Sequence, residues 1–178
     1  MQHFLLDASK MGVPQRRERV FIIGLRNDLA EPFLYAKDMF TQMPKLELEF
    51  NEDEIPFSAF SDESDKSIKN DTKVSSYYDK VRVGQSFSTA HAKGHFFGDY
   101  KLDPDKPLPT ICADPNHGGW HPTIKRMINF KESILGSSFP NDYNFVDNNP
   151  KYICGMSVPP VMMAQIAHEI YKQWISKL

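Results

Sequence analysis

Gly12-Val13-Pro14-Gln15-Arg16-Arg17-Glu18-Arg19-Val20-Phe21-Ile22-Ile23-Gly24 is the stretch on which the reading of the whole chain turns. Its second half is apolar at nearly every position through Leu25, which predicts a strand covered on both faces, as inside an α/β sheet. Upstream, His3-Phe4-Leu5-Leu6 is a second apolar run, and Gly12, Pro14 and the charged residues between the two predict strand, loop, strand over residues 3–26. A two-stranded ribbon cannot cover itself, so more of a sheet domain is expected around it. If the segment is extended, Gln15, Arg17 and Arg19 project to one side.

Moving outward, the far end of the chain carries the clearest periodicity. Val158, Met162, Ile166, Ile170, Trp174 and Leu178 recur every four residues beside Met163, Ala167, Tyr171 and Ile175, which predicts an amphipathic helix. Ser157 is placed to cap its start, Pro159 and Pro160 sit where missing N–H groups cost little, and Lys172 and Lys177 suit its C-terminal dipole. Between the two ends, residues 74–130 are rich in Gly, Pro, His and aromatics, a composition of loops and short strands.

Composition bounds the rest. A chain of 178 residues, 40% hydrophobic, is long enough to bury a real core. No run approaches eighteen apolar residues and the first residues lack a basic n-region, so neither membrane span nor signal peptide is indicated and a cytoplasmic setting is expected. Two cysteines, Cys112 and Cys154, are too sparse for a disulfide framework, and their apolar settings predict small buried residues. The net charge of −2 hides a split: residues 45–71 hold nine acids against three lysines, a balance of −6, so the remainder is +4. Residues 45–72, acidic and Ser-rich, are expected to be a solvated, mobile connection. The mildly basic remainder keeps nucleic acid open as a partner without establishing it.

Three stretches, in order, resemble the last blocks of the DNA cytosine-5 methyltransferases. Gln15-Arg16-Arg17-Glu18-Arg19 is similar to the family's Gln-x-Arg-x-Arg block. Arg126 to Tyr143, ending Phe139-Pro140-Asn141-Asp142-Tyr143, resembles the Arg-x-Leu-Thr to Phe-Pro-x-x-Tyr block, with Asn129 in place of Thr but still able to cap a helix with Glu132 three residues on. Gly155-Met156-Ser157-Val158-Pro159-Pro160 resembles the Gly-Asn-Ser-Val-Pro-Pro block, with Met156 in place of Asn. Lys106-Pro107-Leu108-Pro109-Thr110-Ile111 resembles the Pro-Thr-Ile/Leu signature of the target-recognition region.

The resemblance implies an α/β fragment: the terminal β-hairpin (1–26) and closing helix (151–178) of an S-adenosylmethionine-dependent sheet domain, flanking a small, mainly β target-recognition domain (27–150). It implies that Arg17 and Arg19, supported by Gln15, serve the extruded cytosine, its phosphate and the catalytic loop, where guanidinium forks suit fixed acceptor oxygens. Ser157, the Val158 backbone and Met156 would border the S-adenosylmethionine pocket at a helix start. Double-stranded DNA is the implied partner, read by loop residues. Thr110, Ile111, Arg126, Lys93 and Lys125 are candidate contacts, with His95, Lys101 and His117 beside them. Arg126 serves equally well as a structural residue.

The family's Pro-Cys-Gln nucleophile loop and Phe-x-Gly-x-Gly cofactor loop do not occur in this sequence. The chain is therefore expected to be inactive alone, as a piece of a longer bacterial or phage-like protein or as the small subunit of a split enzyme. A non-catalytic DNA-binding module is the alternative. His91/His95 and His117/His121 have a spacing that binds zinc on a helix, but Gly94 and Gly118-Gly119 oppose helix there, so no metal site is assigned. Trp120 and the aromatics Tyr77, Tyr78, Phe87, Phe96, Phe97 and Tyr100 are expected to pack a core.

Overall fold

The computed structural model describes residues 1–34, 45–69, 71–114 and 116–178, with the backbone alone for 31–34. The weakly patterned 35–44 lies outside the described residues. Strands β1 (Gln2–Asp7) and β2 (Glu18–Ile23) form the expected antiparallel hairpin, with Leu5 opposite Val20 and Asp7 opposite Glu18. Period-two alternation turns Phe4, Leu6, Phe21 and Ile23 inward, while Leu5, Val20 and Ile22 remain 61–66% exposed. Among the described residues, only one of the two faces expected to be covered is covered.

Helix α1 (Asn27–Leu34) follows the hairpin. The closing helix is α4 (Pro160–Gln173), whose Met162 and Ile166, with Trp174 just beyond, fill a core shared with the hairpin. The acidic segment differs from its expectation. Residues 45–50 run extended across that same core, with Leu46 and Leu48 buried and Phe50 half-buried while Glu47 and Glu49 face solvent. Gln side chains pair with this strap as a neighbouring strand would. Gln2 exchanges bonds of 2.8 and 2.9 Å with the Leu46 backbone, and Gln173 exchanges bonds of 2.9 and 2.7 Å with Glu47. The alternating Leu46, Leu48 and Phe50 outweigh the acids, because the charges all lie on the outer face.

The middle of the chain is built from loops and short 3-10 turns. The strands seen there, β3 (Tyr100–Lys101) and β4 (Gly119–Trp120), are two residues each and pair in parallel. That is far less β structure than expected, because closely spaced Gly and Pro interrupt every run. One core holds Phe57, Leu102, Leu108, Ile111, Ile128, Phe139 and Cys154; another holds Val74, Tyr78, Val81, Phe87 and Trp120.

Helix α2 (Phe130–Gly136) starts as its sequence foretells. The Asn129 side chain accepts from Glu132 N–H, and the Glu132 carboxylate accepts from Asn129 N–H, each at 2.9 Å. Helix α3 (Pro150–Met156) precedes the closing helix. It corrects the reading of Ser157, which ends α3 and does not start α4. The two prolines hold the preceding backbone extended, and α4 begins after Pro159 with no side-chain cap. No helix among the described residues is long and apolar enough to cross a membrane.

Candidate functional site

The hairpin, the middle region and the α3–α4 junction meet at Arg17. Residues 14–17 lie alongside 108–111: Leu108 N–H donates to Pro14 O at 3.0 Å, Arg16 N–H to Leu108 O at 2.8 Å, and Thr110 Oγ1 to Arg16 O at 2.8 Å. The alternation read from sequence is present, with Gln15 and Arg17 buried, Arg19 half-buried, and Arg16 and Glu18 exposed.

Arg17 is 1% exposed. Its guanidinium donates to Ile111 O at 3.2 Å, Gly155 O at 2.8 Å and Ser157 O at 2.7 Å, one carbonyl from the middle region and two from the helix junction. Burial, with the Arg19 charge adding to it, pulls its pKa below the ordinary arginine value. The expectation that Arg17 itself reaches a base or phosphate is corrected: its fork is enclosed by backbone carbonyls.

Gln15 is likewise buried, donating from Nε2 to Ser137 Oγ at 3.2 Å and accepting from Ile111 N–H at 3.3 Å. Of the three, Arg19 is the one whose guanidinium stays partly in solvent, held to Glu18 O at 2.7 Å. Gly155 is pressed so close to the Cys112–Ala113 backbone that a Cβ there would collide with it.

At the helix junction, Ser157 Oγ donates to Cys154 O at 3.1 Å and Ser157 N–H to Ile153 O at 2.9 Å. The start of α4 offers few donors, because Pro159 and Pro160 have none and Val161 N–H donates to Ser138 Oγ at 3.2 Å. The Ser157 oxygen keeps acceptor capacity, Val158 adds apolar wall, and Met156 is 64% exposed.

Arg126 resolves as structural. It is 3% exposed, forks onto Glu132 at 2.7 and 2.9 Å, and donates to Asp62 O and Asp65 O. Lys125 lies 3.5 Å from Asp79, and Lys101 sits 4.0 Å from the Tyr78 ring centroid. Lys93 and Thr110 are exposed and Ile111 is buried.

A cavity of about 940 Å³ opens between the 91–98 loop, residues 108–112 and residues 117–119. On its wall His117 Nδ1 meets the buried Asp99 carboxylate at 2.9 Å, and the same carboxylate accepts from Trp120 Nε1 at 3.2 Å. Lys151, buried beside them, donates to His117 O at 2.9 Å; burial lowers its pKa to about 8 against the opposing pull of Asp99 and Asp114. Nothing in the sequence distinguished Asp99 or Lys151 from solvent-facing charges.

The two histidine pairs differ: the His91 and His95 rings meet edge to face with centroids 4.8 Å apart, whereas His117 and His121 have different partners. His121 is buried against Ser61 Oγ at 2.8 Å, away from His117, and its pKa is lowered chiefly by burial. Among the described residues no group of three or more His, Cys, Asp or Glu is arranged to hold a metal ion. Trp120, Tyr78 and Phe87 are core residues as expected, whereas Phe97 and Tyr100 are 76% and 40% exposed, against expectation. Cys154 is buried, which raises its pKa, but Cys112 is exposed, against expectation, because its neighbour Ile111 takes the inward position.

A family profile for C-5 cytosine-specific DNA methylase matches residues 1–172. A Methanocaldococcus jannaschii protein named type II methyltransferase M.MJ0563P is 27% identical over 174 residues, covering 95% of this chain and 51% of its own length. Type II methyltransferase M.BbvI of Brevibacillus brevis is 25% identical, covering 88% of this chain and 44% of its own. A crystal structure of a DNA modification methyltransferase encoded within an E. coli prophage superposes with a TM-score of 0.56 at 16% identity, covering 97% of this chain and 60% of that one. The chain spans about half the length of the curated relatives it matches.

Proposed function

Because the chain belongs to the C-5 cytosine-specific DNA methylase family, we propose that it is the C-terminal, target-recognition part of an enzyme that methylates carbon 5 of a cytosine flipped out of duplex DNA. The observation that carries this reading is the Arg17 knot. One guanidinium joins the Gln-x-Arg-x-Arg stretch to the Pro-Thr-Ile stretch and to the turn that opens the last block. Three segments far apart in sequence thus border one place.

Within it, Arg17 and Gln15 are positioning residues that act through the carbonyls and amides they hold. Arg19, partly exposed and on the same side, is the guanidinium that meets the flipped base or its phosphate. Thr110 and Lys93 are DNA contacts, while Ile111 and Arg126 hold the recognition region in shape. S-adenosylmethionine, the methyl donor of this family, supplies an electrophilic methyl group when bound. Ser157 would accept a hydrogen bond from it, and the Val158 backbone and Met156 would border it.

The nucleophilic cysteine is assigned to a part of the enzyme outside this chain, either more of the same protein or a partner subunit. Two observations support that assignment: the coverage of about half of the relatives, and the exposed face of Leu5, Val20 and Ile22, an apolar surface suited to further sheet-domain structure. The test is transfer of labelled methyl groups to DNA. The chain alone should transfer none. In the complete enzyme, Arg19→Ala should lower the rate by about 100-fold or more, the scale on which loss of a transition-state charge contact acts, with an unchanged melting temperature. Near-normal turnover by that variant would refute the assignment.

A further inference from the structure

We infer that Phe97 is an aromatic wedge that enters the base stack of duplex DNA at a step where stacking is weak or interrupted. This inference rests on the proposed DNA-binding role and adds to it a contact residue and the state of DNA that it favours.

The starting point is the pair Phe96-Phe97, two identical residues with opposite fates. Phe96 adopts φ +66°, in the left-handed region that a residue with a Cβ rarely occupies. This turn presses Phe96 onto its neighbours: its ring centroid lies 5.3 Å from that of His91 and 5.8 Å from that of Tyr77. Phe97 is thrown outward, to 76% exposure. The Ser86 hydroxyl lies 3.4 and 3.3 Å from the Phe96 and Phe97 carbonyls, and Asp99 N–H donates to Phe96 O at 3.1 Å, so the backbone behind the exposed ring is held from two sides. A large apolar ring displayed on a strained but braced backbone is a feature that burial and packing of this loop do not require.

The surroundings choose the occupant. Phe97 stands on the wall of the 940 Å³ cavity, whose described lining residues include the exposed Lys73 and one acid, Asp114. Lys93, exposed on the same loop, adds another cation. An aromatic ring with the two exposed lysines Lys73 and Lys93 in its neighbourhood suits a polyanion that also offers flat apolar surfaces, which is a nucleic acid with an accessible base face. A second protein segment seated on Phe97 would need carboxylates to meet this rim.

The experiment places a reporter at the ring. In Phe97→Trp the new indole is exposed, whereas Trp120 and Trp174 are 1% and 4% exposed, so quenching by a soluble quencher isolates position 97. Labelled 30-mer duplexes, one intact and one with a single abasic site, are titrated by anisotropy at low salt. The wedge predicts that DNA shields the indole at 97 and shifts its emission, more strongly on the abasic duplex. It also predicts that Phe97→Ala weakens abasic-duplex binding at least fivefold while changing the intact duplex less. Lys93→Ala should instead weaken both duplexes alike and reduce the salt dependence. Binding that leaves the indole accessible, or equal losses on both duplexes in Phe97→Ala, overturns the wedge and leaves the DNA-binding reading intact. Failure to bind either duplex overturns both.

Discussion

Two buried arginines sit in different regions of this molecule and solve the same electrostatic problem in opposite ways. Arg126, inside the recognition region, forks onto the fully buried Glu132 carboxylate, which raises its pKa despite the opposing effect of burial. Its charge is neutralised within the region that it organises. Arg17, at the seam between regions, is held by three neutral carbonyls and its pKa is lowered. The recognition hub is thus an internally balanced unit, whereas the seam keeps a net positive charge beside Arg19. A balanced ion pair serves shape; a guanidinium held by carbonyls leaves its field for an anion that arrives later.

The comparison breaks most visibly at Glu132. Glu132→Ala strands a buried guanidinium and removes half of the capping box, so urea unfolding should show a loss of about 3–5 kcal/mol. Arg17→Met should cost less, about 1.5 kcal/mol in the same measurement, because it removes charged hydrogen bonds to carbonyls but also relieves a desolvated charge. A loss as large as that of Glu132→Ala would mean that the two sites are not different in kind.

Lys151 sharpens the contrast as a third buried cation, again donating to a carbonyl. Its native pKa of about 8 lies below the ordinary lysine value of 10.5, so between those limits the unfolded chain binds more protons than the folded one. The Lys151 contribution should therefore make the chain more stable as pH rises from about 8 to 10.5, by about 2 kcal/mol after discounting residual solvation. Lys151→Met should flatten that rise in pH-dependent melting. The smallest effect is at the cap: Asn129→Ala should cost about 1 kcal/mol while leaving the Arg126–Glu132 pair formed.

How legible all this was depended on whether a residue's partner lay nearby in sequence. The hairpin, the closing helix and the Asn129–Glu132 box are local patterns; the hairpin and the box appear where their residues indicate, and the closing helix does so apart from its two ends. The side to which Gln15, Arg17 and Arg19 point was legible too, because alternation is a property of the strand itself. What lies on that side was not. The carbonyls that enclose Arg17 come from positions 111, 155 and 157, and no pattern around Arg17 announces them. Ser157 looked like a start because Pro follows it, but the short helix before it is marked only by Asn149-Pro150. In the acidic strap, composition masked the alternation of Leu46, Leu48 and Phe50, which was present to be read.

The reciprocal amides of Gln2 and Gln173, bonded to the adjacent residues Leu46 and Glu47, bring positions near opposite ends of the sequence to one spot. Translation delivers them far apart in time. At roughly 5–20 residues per second, the ribosome makes Met162, Ile166 and Trp174 roughly 7–30 s after the hairpin that needs them as its floor. During that interval Leu6, Met11 and Val13 have only the strap of Leu46 and Leu48 as a partner, so a nascent chain stalled or truncated before the closing helix should be a chaperone client and a target for proteolysis.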